Sequence, residues 1–214
     1  MVDIDATDLS AGIECHPVSA ERWQDLERLL GDHGGWQGCW CMRWRLPRAR
    51  FVSQQGAPNR RALRREIGAG RCTGVMAYRD GEAVAWCSVG PRENYPLLGT
   101  SDLLARVDDR AVWSITCVFV AKRARRQGIT VPLIQGAVAF AAQNHAKVVE
   151  AYPVIPPSTK MPVAAAMTGI YSAFHKAGFS EVLRRVEIRP IMRYEITPDE
   201  THHDARITSA RSVL

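Results

Sequence analysis

The chain has 214 residues, 46% of them hydrophobic and 23% charged, with a formal net charge of +6. That length carries a core large enough to need neither metal nor disulfides, and the composition excludes global disorder. The positive charge suits an anionic partner, which at this level is equally a nucleic acid, a membrane surface or a phosphorylated cofactor.

Six cysteines (Cys15, Cys39, Cys41, Cys72, Cys87, Cys117) show neither the paired spacing of a zinc site nor the density of a secreted scaffold. Reduced thiols in a cytoplasmic protein are the expectation. The opening Met1-Val2-Asp3-Ile4-Asp5 is acidic, unlike a signal peptide, and no apolar run approaches the ~18 residues of a membrane span.

In chain order, residues 1–12 read as a lead-in and Ile13 to Val18 as a first strand. Ser19 is placed to cap a helix over 20–30, with Trp23, Leu26 and Leu30 at helical spacing and Gly31 as the stop. The next stretch, Trp36 to Trp44, packs three tryptophans, two cysteines and one methionine into nine residues behind paired glycines. It reads as an irregular loop folded over something. One Cys-x-Cys without a second pair argues for a soft, aromatic core cluster over a metal site, and lining an acceptor pocket is its functional version.

A basic helix is expected over 59–67, after Pro58 and before Gly68. Strands over 75–79 and 83–89 flank Asp80-Gly81, a hairpin signal. Residues 95–109 lack periodicity. Then comes the stretch that organises the chain: an apolar strand from Val112 to Val120, the basic turn Lys122-Arg123-Ala124-Arg125-Arg126-Gln127-Gly128, and a helix over 130–144 with Thr130 as its N-cap and Pro132 in its first turn. Free N–H groups and the positive end of the helix dipole converge on such a turn, and Gly128 permits close backbone approach, so the arrangement suits phosphate. A strand over 148–152 completes a βαβ unit with parallel pairing. A helix over 168–177, strands over 182–188 and 191–196 joined at Arg189-Pro190, and a polar tail over 197–214 follow. One mixed α/β domain over 13–196 accounts for the chain.

The turn Arg125-Arg126-Gln127-Gly128-Ile129-Thr130, the strand before it, the helix and strand after it, and the late Phe174-His175-Lys176-Ala177-Gly178-Phe179 together resemble the GNAT superfamily of acyl-CoA-dependent N-acetyltransferases. The resemblance implies a mixed central β-sheet with splayed parallel strands flanked by helices. It implies that residues 125–130 (Arg125, Arg126, Gln127, Gly128, Ile129 and Thr130) hold the pyrophosphate of acetyl-CoA, with Thr130 standing where glycine or alanine is usual. Val118 and Val120 would bond the pantetheine arm, the Val118 N–H lying near the thioester carbonyl. Phe174 falls beside the cofactor, at the position where many members carry a tyrosine that protonates the departing sulfur; Tyr171, one helical turn earlier, is the candidate substitute.

Some members carry a glutamate where this chain has Ser114. Glu150, flanked by apolar residues on the neighbouring strand, is the preferred candidate base, since carboxylates in apolar surroundings can be tuned to trade protons near neutral pH. An ion pair with an arginine is its structural alternative. An acyl-cysteine route through Cys87 or Cys117 is disfavoured, because a cysteine on an apolar strand is usually inert.

The implied activity is acetyl transfer from acetyl-CoA to a primary amine of a small molecule or a protein. A non-catalytic acyl-CoA sensor of the same fold is the alternative. Neither a membrane nor a nucleic-acid partner is expected, no metal is implied, and a homodimer is left open. The Trp36–Trp44 loop and the basic helix over 59–67 fall where this family builds its acceptor site.

Overall fold

The computed structural model describes residues 12–71, 73–156 and 166–197. The expected lead-in and tail therefore lie, but for residues 12 and 197, outside the described residues. Seven strands form one sheet: β1 (Ile13–Pro17), β2 (Gly74–Arg79), β3 (Glu82–Pro91), β4 (Trp113–Val120), β5 (Val148–Ala151), β6 (Ser180–Arg184) and β7 (Pro190–Glu195), in the order β1-β2-β3-β4-β5-β7-β6. The helices are α1 (Trp23–Leu30), α2 (Arg48–Ser53), α3 (Ala57–Gly68), α4 (Thr130–Gln143) and α5 (Tyr171–Lys176).

The hairpin between β2 and β3 turns on Asp80 and Gly81, whose φ values of 51° and 75° are both left-handed, as a two-residue hairpin demands. β4 and β5 are the one parallel pair in the sheet, and α4 bridges them. Crossing back to a parallel strand takes a connection of this length. Leu133, Ile134, Ala137 and Ala141 are fully shielded from solvent, so α4 presents one apolar face to the sheet, contacting β1, β2 and β3.

α1 begins at Trp23, three residues later than the sequence suggests. The Ser19 hydroxyl still accepts the Arg22 N–H, at 3.4 Å, but closes a turn ahead of the helix instead of its first turn. α5 likewise starts at Tyr171, not at residue 168. β6 ends at Arg184, where a strand over 182–188 was expected: Val186 and Ile188 are exposed in the turn before β7, because an edge position gives their apolar side chains nothing to pack on. α2 and three short 3-10 turns across residues 92–104 have no periodic signature in the sequence. Those turns enclose a second small core in which Tyr95, Leu98 and Leu104 meet Tyr152 and Ile191.

The tryptophan-rich loop divides its side chains between core and surface. Cys39, Trp40 and Met42 are buried, and Trp40 stacks on Trp23 with ring centroids 6.1 Å apart. This is the core cluster read from the sequence. Gln37, Trp40 and Cys41 hold left-handed φ angles of 43°, 46° and 49°. Each costs roughly 1–2 kcal/mol without a glycine, a strain of the order that burying one large aromatic side chain offsets.

Candidate active site

β4 and β5 pair only from Trp113 to Ile115 against Val149 to Ala151. β5 then stops at Tyr152-Pro153, where proline cannot continue a ladder. β4 runs on for five residues, still paired with β3 on its other side. The two strands therefore splay, and alternate backbone groups of β4 face the gap. Val118 is one of them: its N–H donates to the Met167 carbonyl at 2.8 Å. By the same alternation Val120 faces the gap, and its carbonyl accepts Arg125 Nε at 3.1 Å, tying the basic turn to the strand end.

The turn is braced from outside. Arg79 donates to the Gln127 side-chain oxygen at 2.5 Å, Gln127 Nε2 donates to the Arg123 carbonyl at 2.8 Å, and Arg123 pairs with Glu82. Arg126 and Gly128 hold φ of 62° and 73°, folding the chain back on itself before α4. Ile129, not Thr130, is the N-cap of α4, and no side chain caps it. The first intrahelical bond runs from Leu133 N–H to the Ile129 carbonyl, and Pro132 has no N–H. The N–H groups of Ile129, Thr130 and Val131 are thus left without partners inside the helix, at the positive end of its dipole.

These pieces enclose a cleft of about 510 Å³. Val118, Val120, Arg125, Arg126, Gly128, Ile129 and Thr130 all line it, so seven of the sequence-derived candidates converge on one surface. Arg125 and Arg126 are exposed and have no carboxylate partner among the described residues. The opposite wall is Gly169 and Ile170, which lead into α5, with Ser172, Ala173 and Lys176 of that helix. Trp36 and Met167 line this cleft and also a second cavity of about 410 Å³, so the two meet end to end.

Four candidates lie elsewhere. Gln127 braces the turn from behind, as described. Phe174 is fully buried, packed edge-on against Phe179 at 5.1 Å. It supports the cleft from beneath, since a side-chain atom added at Gly169 would strike its ring. Tyr171 stacks on His175 at 6.0 Å and packs against the core instead of lining the cleft.

Glu150 lies in neither cavity. It is 1% exposed, with Arg92 Nη1 at 3.2 Å and Arg193 Nε at 2.9 Å, and it also accepts the Tyr152 hydroxyl at 2.7 Å. Arg193 continues to Asp108, and Ser114 bonds Tyr152 at 2.8 Å. The position where some relatives carry a glutamate is therefore part of this buried network. Both Glu150 oxygens are occupied by donors, the structural alternative that its sequence neighbours left open. The Arg193 guanidinium also holds the Asp108 carboxyl at about 2, well below the carboxylate range.

The cysteines near the site are buried. Burial pushes the Cys39 thiol up to about 12 and the Cys87 thiol well above its ordinary value, so neither supplies a thiolate nucleophile at neutral pH. Cys41 accepts the Trp86 indole N–H at 3.0 Å and lies 3.7 Å from Cys117. Sequence reasoning did not single out Met167, Arg48 or Arg189 as lining residues, and it had Lys176 and Arg43 only as members of the 174–179 motif and the Trp36–Trp44 loop. The one advance signal for the second cavity was the density of tryptophan between residues 36 and 44.

A family model described as "Acetyltransferase (GNAT) family" matches residues 39–160. No curated protein matches the chain. Among solved structures, an agmatine N-acetyltransferase variant in its apo form aligns with TM-score 0.53 and 13% identity, covering 86% of this chain and 100% of its own. A GNAT-family acetyltransferase from Streptococcus agalactiae aligns with TM-score 0.52 and 11% identity, over 87% of this chain and 97% of its own. The PaiA N-acetyltransferase from Thermoplasma acidophilum, in complex with coenzyme A, aligns at 0.49 with 13% identity, over 86% and 99%. At these identities the likeness is one of fold, whereas the family match spans more than half of the sequence and includes the strand, turn and helix that build the cleft. On that match the chain belongs to the GNAT acetyltransferase family.

Proposed function

We propose that the protein transfers an acetyl group from acetyl-CoA to a primary amine by direct attack. The observation that carries this reading is the cleft itself: a splayed strand end, a glycine turn with two unpaired arginines, and an uncapped helix N-terminus on one wall, opening at Trp36 and Met167 into a second cavity. In this reading the N–H groups at the start of α4, with Arg125 and Arg126, hold the pyrophosphate. Val118 and Val120 offer backbone groups to the pantetheine, and the second cavity takes the amine. Bound acetyl-CoA supplies an activated thioester carbonyl.

The neutral amine nitrogen forms the new C–N bond, the C–S bond breaks, and the sulfur leaves with the electron pair. Neither cavity is lined by a carboxylate or histidine among the described residues. The amine proton accordingly passes to water, and the thiolate, of ordinary basicity, leaves into solvent. Glu150 is assigned a structural part here, and Tyr171 acts as an acid only if its ring leaves His175.

Calorimetry with acetyl-CoA followed by thiol release with a panel of amines tests the proposal. Binding at micromolar levels with amine-dependent release is the expected result, and no binding at tens of micromolar overturns it. That neither cavity is lined by a carboxylate or histidine among the described residues favours one second reading, an acyl-CoA sensor. Binding without turnover by any amine selects it.

A further inference from the structure

The second cavity is cationic and has no counter-charge. Arg43, Arg48 and Arg189 line it, and no aspartate or glutamate does among the described residues. Arg189 is half-buried, and among the described residues its guanidinium bonds only neutral acceptors, the Tyr152 carbonyl at 3.3 Å and the Thr168 hydroxyl at 3.0 Å. Its charge is disfavoured first by loss of water and then by the nearby Arg43 guanidinium. The fully buried arginines are paired, Arg92 with Glu150 and Arg193 with both Glu150 and Asp108, whereas half-buried Arg79, like Arg189, bonds neutral acceptors, in its case Gln127. Arg189 alone is partly desolvated, and the exposed Arg43 guanidinium repels it with no lining carboxylate among the described residues, so a ligand anion between the two would be favoured.

The rest of the lining is mixed, with Gln37, Gln55, Ser101 and Thr168 beside apolar side chains. Trp36, Trp44, Phe51, Leu104 and Met167 face the same space, and Arg43 lies over the Trp44 ring at 5.7 Å. An acceptor carrying only positive charge, such as a simple diamine, meets repulsion there.

We infer that this cavity receives a small amine that also carries a carboxylate or phosphate group, seated between Arg43 and Arg189, with an apolar or aromatic body against the tryptophans. The inference rests on the proposed transferase reading for the word acceptor. The anion seat itself is measurable without the donor.

Calorimetry on the full chain, with no acetyl-CoA present, would use a panel of N-acetyl amino acids and N-acetyl-O-phosphoethanolamine. Their neutral counterparts, the N-acetyl amino acid amides and N-acetylethanolamine, serve as controls. The acids are expected to bind about ten- to a hundredfold tighter than the neutral forms, the range of a charge-assisted hydrogen bond. Which acid binds better separates carboxylate from phosphate. That advantage is expected to disappear in Arg189→Gln and in Arg43→Gln. The second variant changes an exposed side chain and guards against a folding defect in the first.

Three results overturn the inference: no acid binds, the neutral forms bind as well, or both arginine variants keep the preference. If the acids bind in an arginine-dependent way and none of the corresponding free amines releases thiol from acetyl-CoA, the anion seat stands and the transferase reading falls.

Discussion

The backbone N–H of Val118 donates to the carbonyl of Met167 across the gap between β4 and β5. Val118 is the residue whose N–H the family resemblance aims at the thioester, and here the Met167 carbonyl holds the group that the proposed pantetheine contact would use. If acetyl-CoA takes this donor, the Met167 carbonyl withdraws. The measurable consequence is that the Val118 amide resonance shifts more on adding acetyl-CoA than those of Cys117 and Phe119, which face β3. Equal shifts for all three would leave the pantetheine unassigned to this strand.

Gly128 holds a left-handed φ of 73° at the centre of the basic turn. A β-branched residue pays about 1–2 kcal/mol there and thickens the backbone where phosphate approaches. Gly128→Val is expected to weaken acetyl-CoA binding at least about tenfold by calorimetry while lowering stability by no more than that backbone cost. Unchanged affinity would remove the turn from the donor site.

Arg125 and Arg126 line the cleft without carboxylate partners among the described residues. Replacing either by glutamine should reduce acetyl-CoA affinity by about tenfold, with the loss smaller at high salt because the interaction is screened. An affinity indifferent to both substitutions and to salt would mean that the charge is ordinary surface.

Glu150 joins Arg92 and Arg193 in a buried triad. Removing one charge from such a network strands the others, so Glu150→Gln should cost about 3–5 kcal/mol in urea unfolding and leave the pH profile of turnover unchanged. Loss of turnover at full stability would restore Glu150 as the base.

Asp108 is held at about 2 by Arg193. A carboxylate whose folded value is depressed stabilises the fold fully above its unfolded value near 4 and loses that contribution as pH falls toward 2. Wild type and Asp108→Asn should therefore differ in unfolding midpoint at pH 7, with the gap shrinking as pH falls from about 4 and closing only below about 2. A gap that does not shrink between about pH 4 and about pH 2 would assign the difference to something other than this charge.

The cleft proposed for the donor was legible because the residues that line one wall are nearly consecutive. An apolar strand, a glycine-containing basic turn and a helix start lie between residues 112 and 134, and each is set by local spacing, turn chemistry and free N–H groups. The exceptions are single residues whose side chains turn away, such as Gln127 clamped by Arg79 and Phe174 buried against Phe179.

Of the cavity proposed for the acceptor, the sequence pointed only to the Trp36–Trp44 loop, not to the charges that gather there. Arg43 belongs to an irregular loop, Arg48 to a helix with no periodic signature, and Arg189 to a turn that the sequence places at the junction of two strands. Only the packed sheet brings them to one cavity.

Glu150 makes the same point from the other direction. Its apolar neighbours announced burial, and burial is what the structure has, but sequence could not say that Arg92 and Arg193 would arrive from other strands and loops to hold both oxygens. The sequence by itself determined the strand order of the βαβ unit, the turn and the family. Tertiary structure alone decided which charges are paired and which are left facing a cavity, because that depends on contacts between segments far apart in the chain.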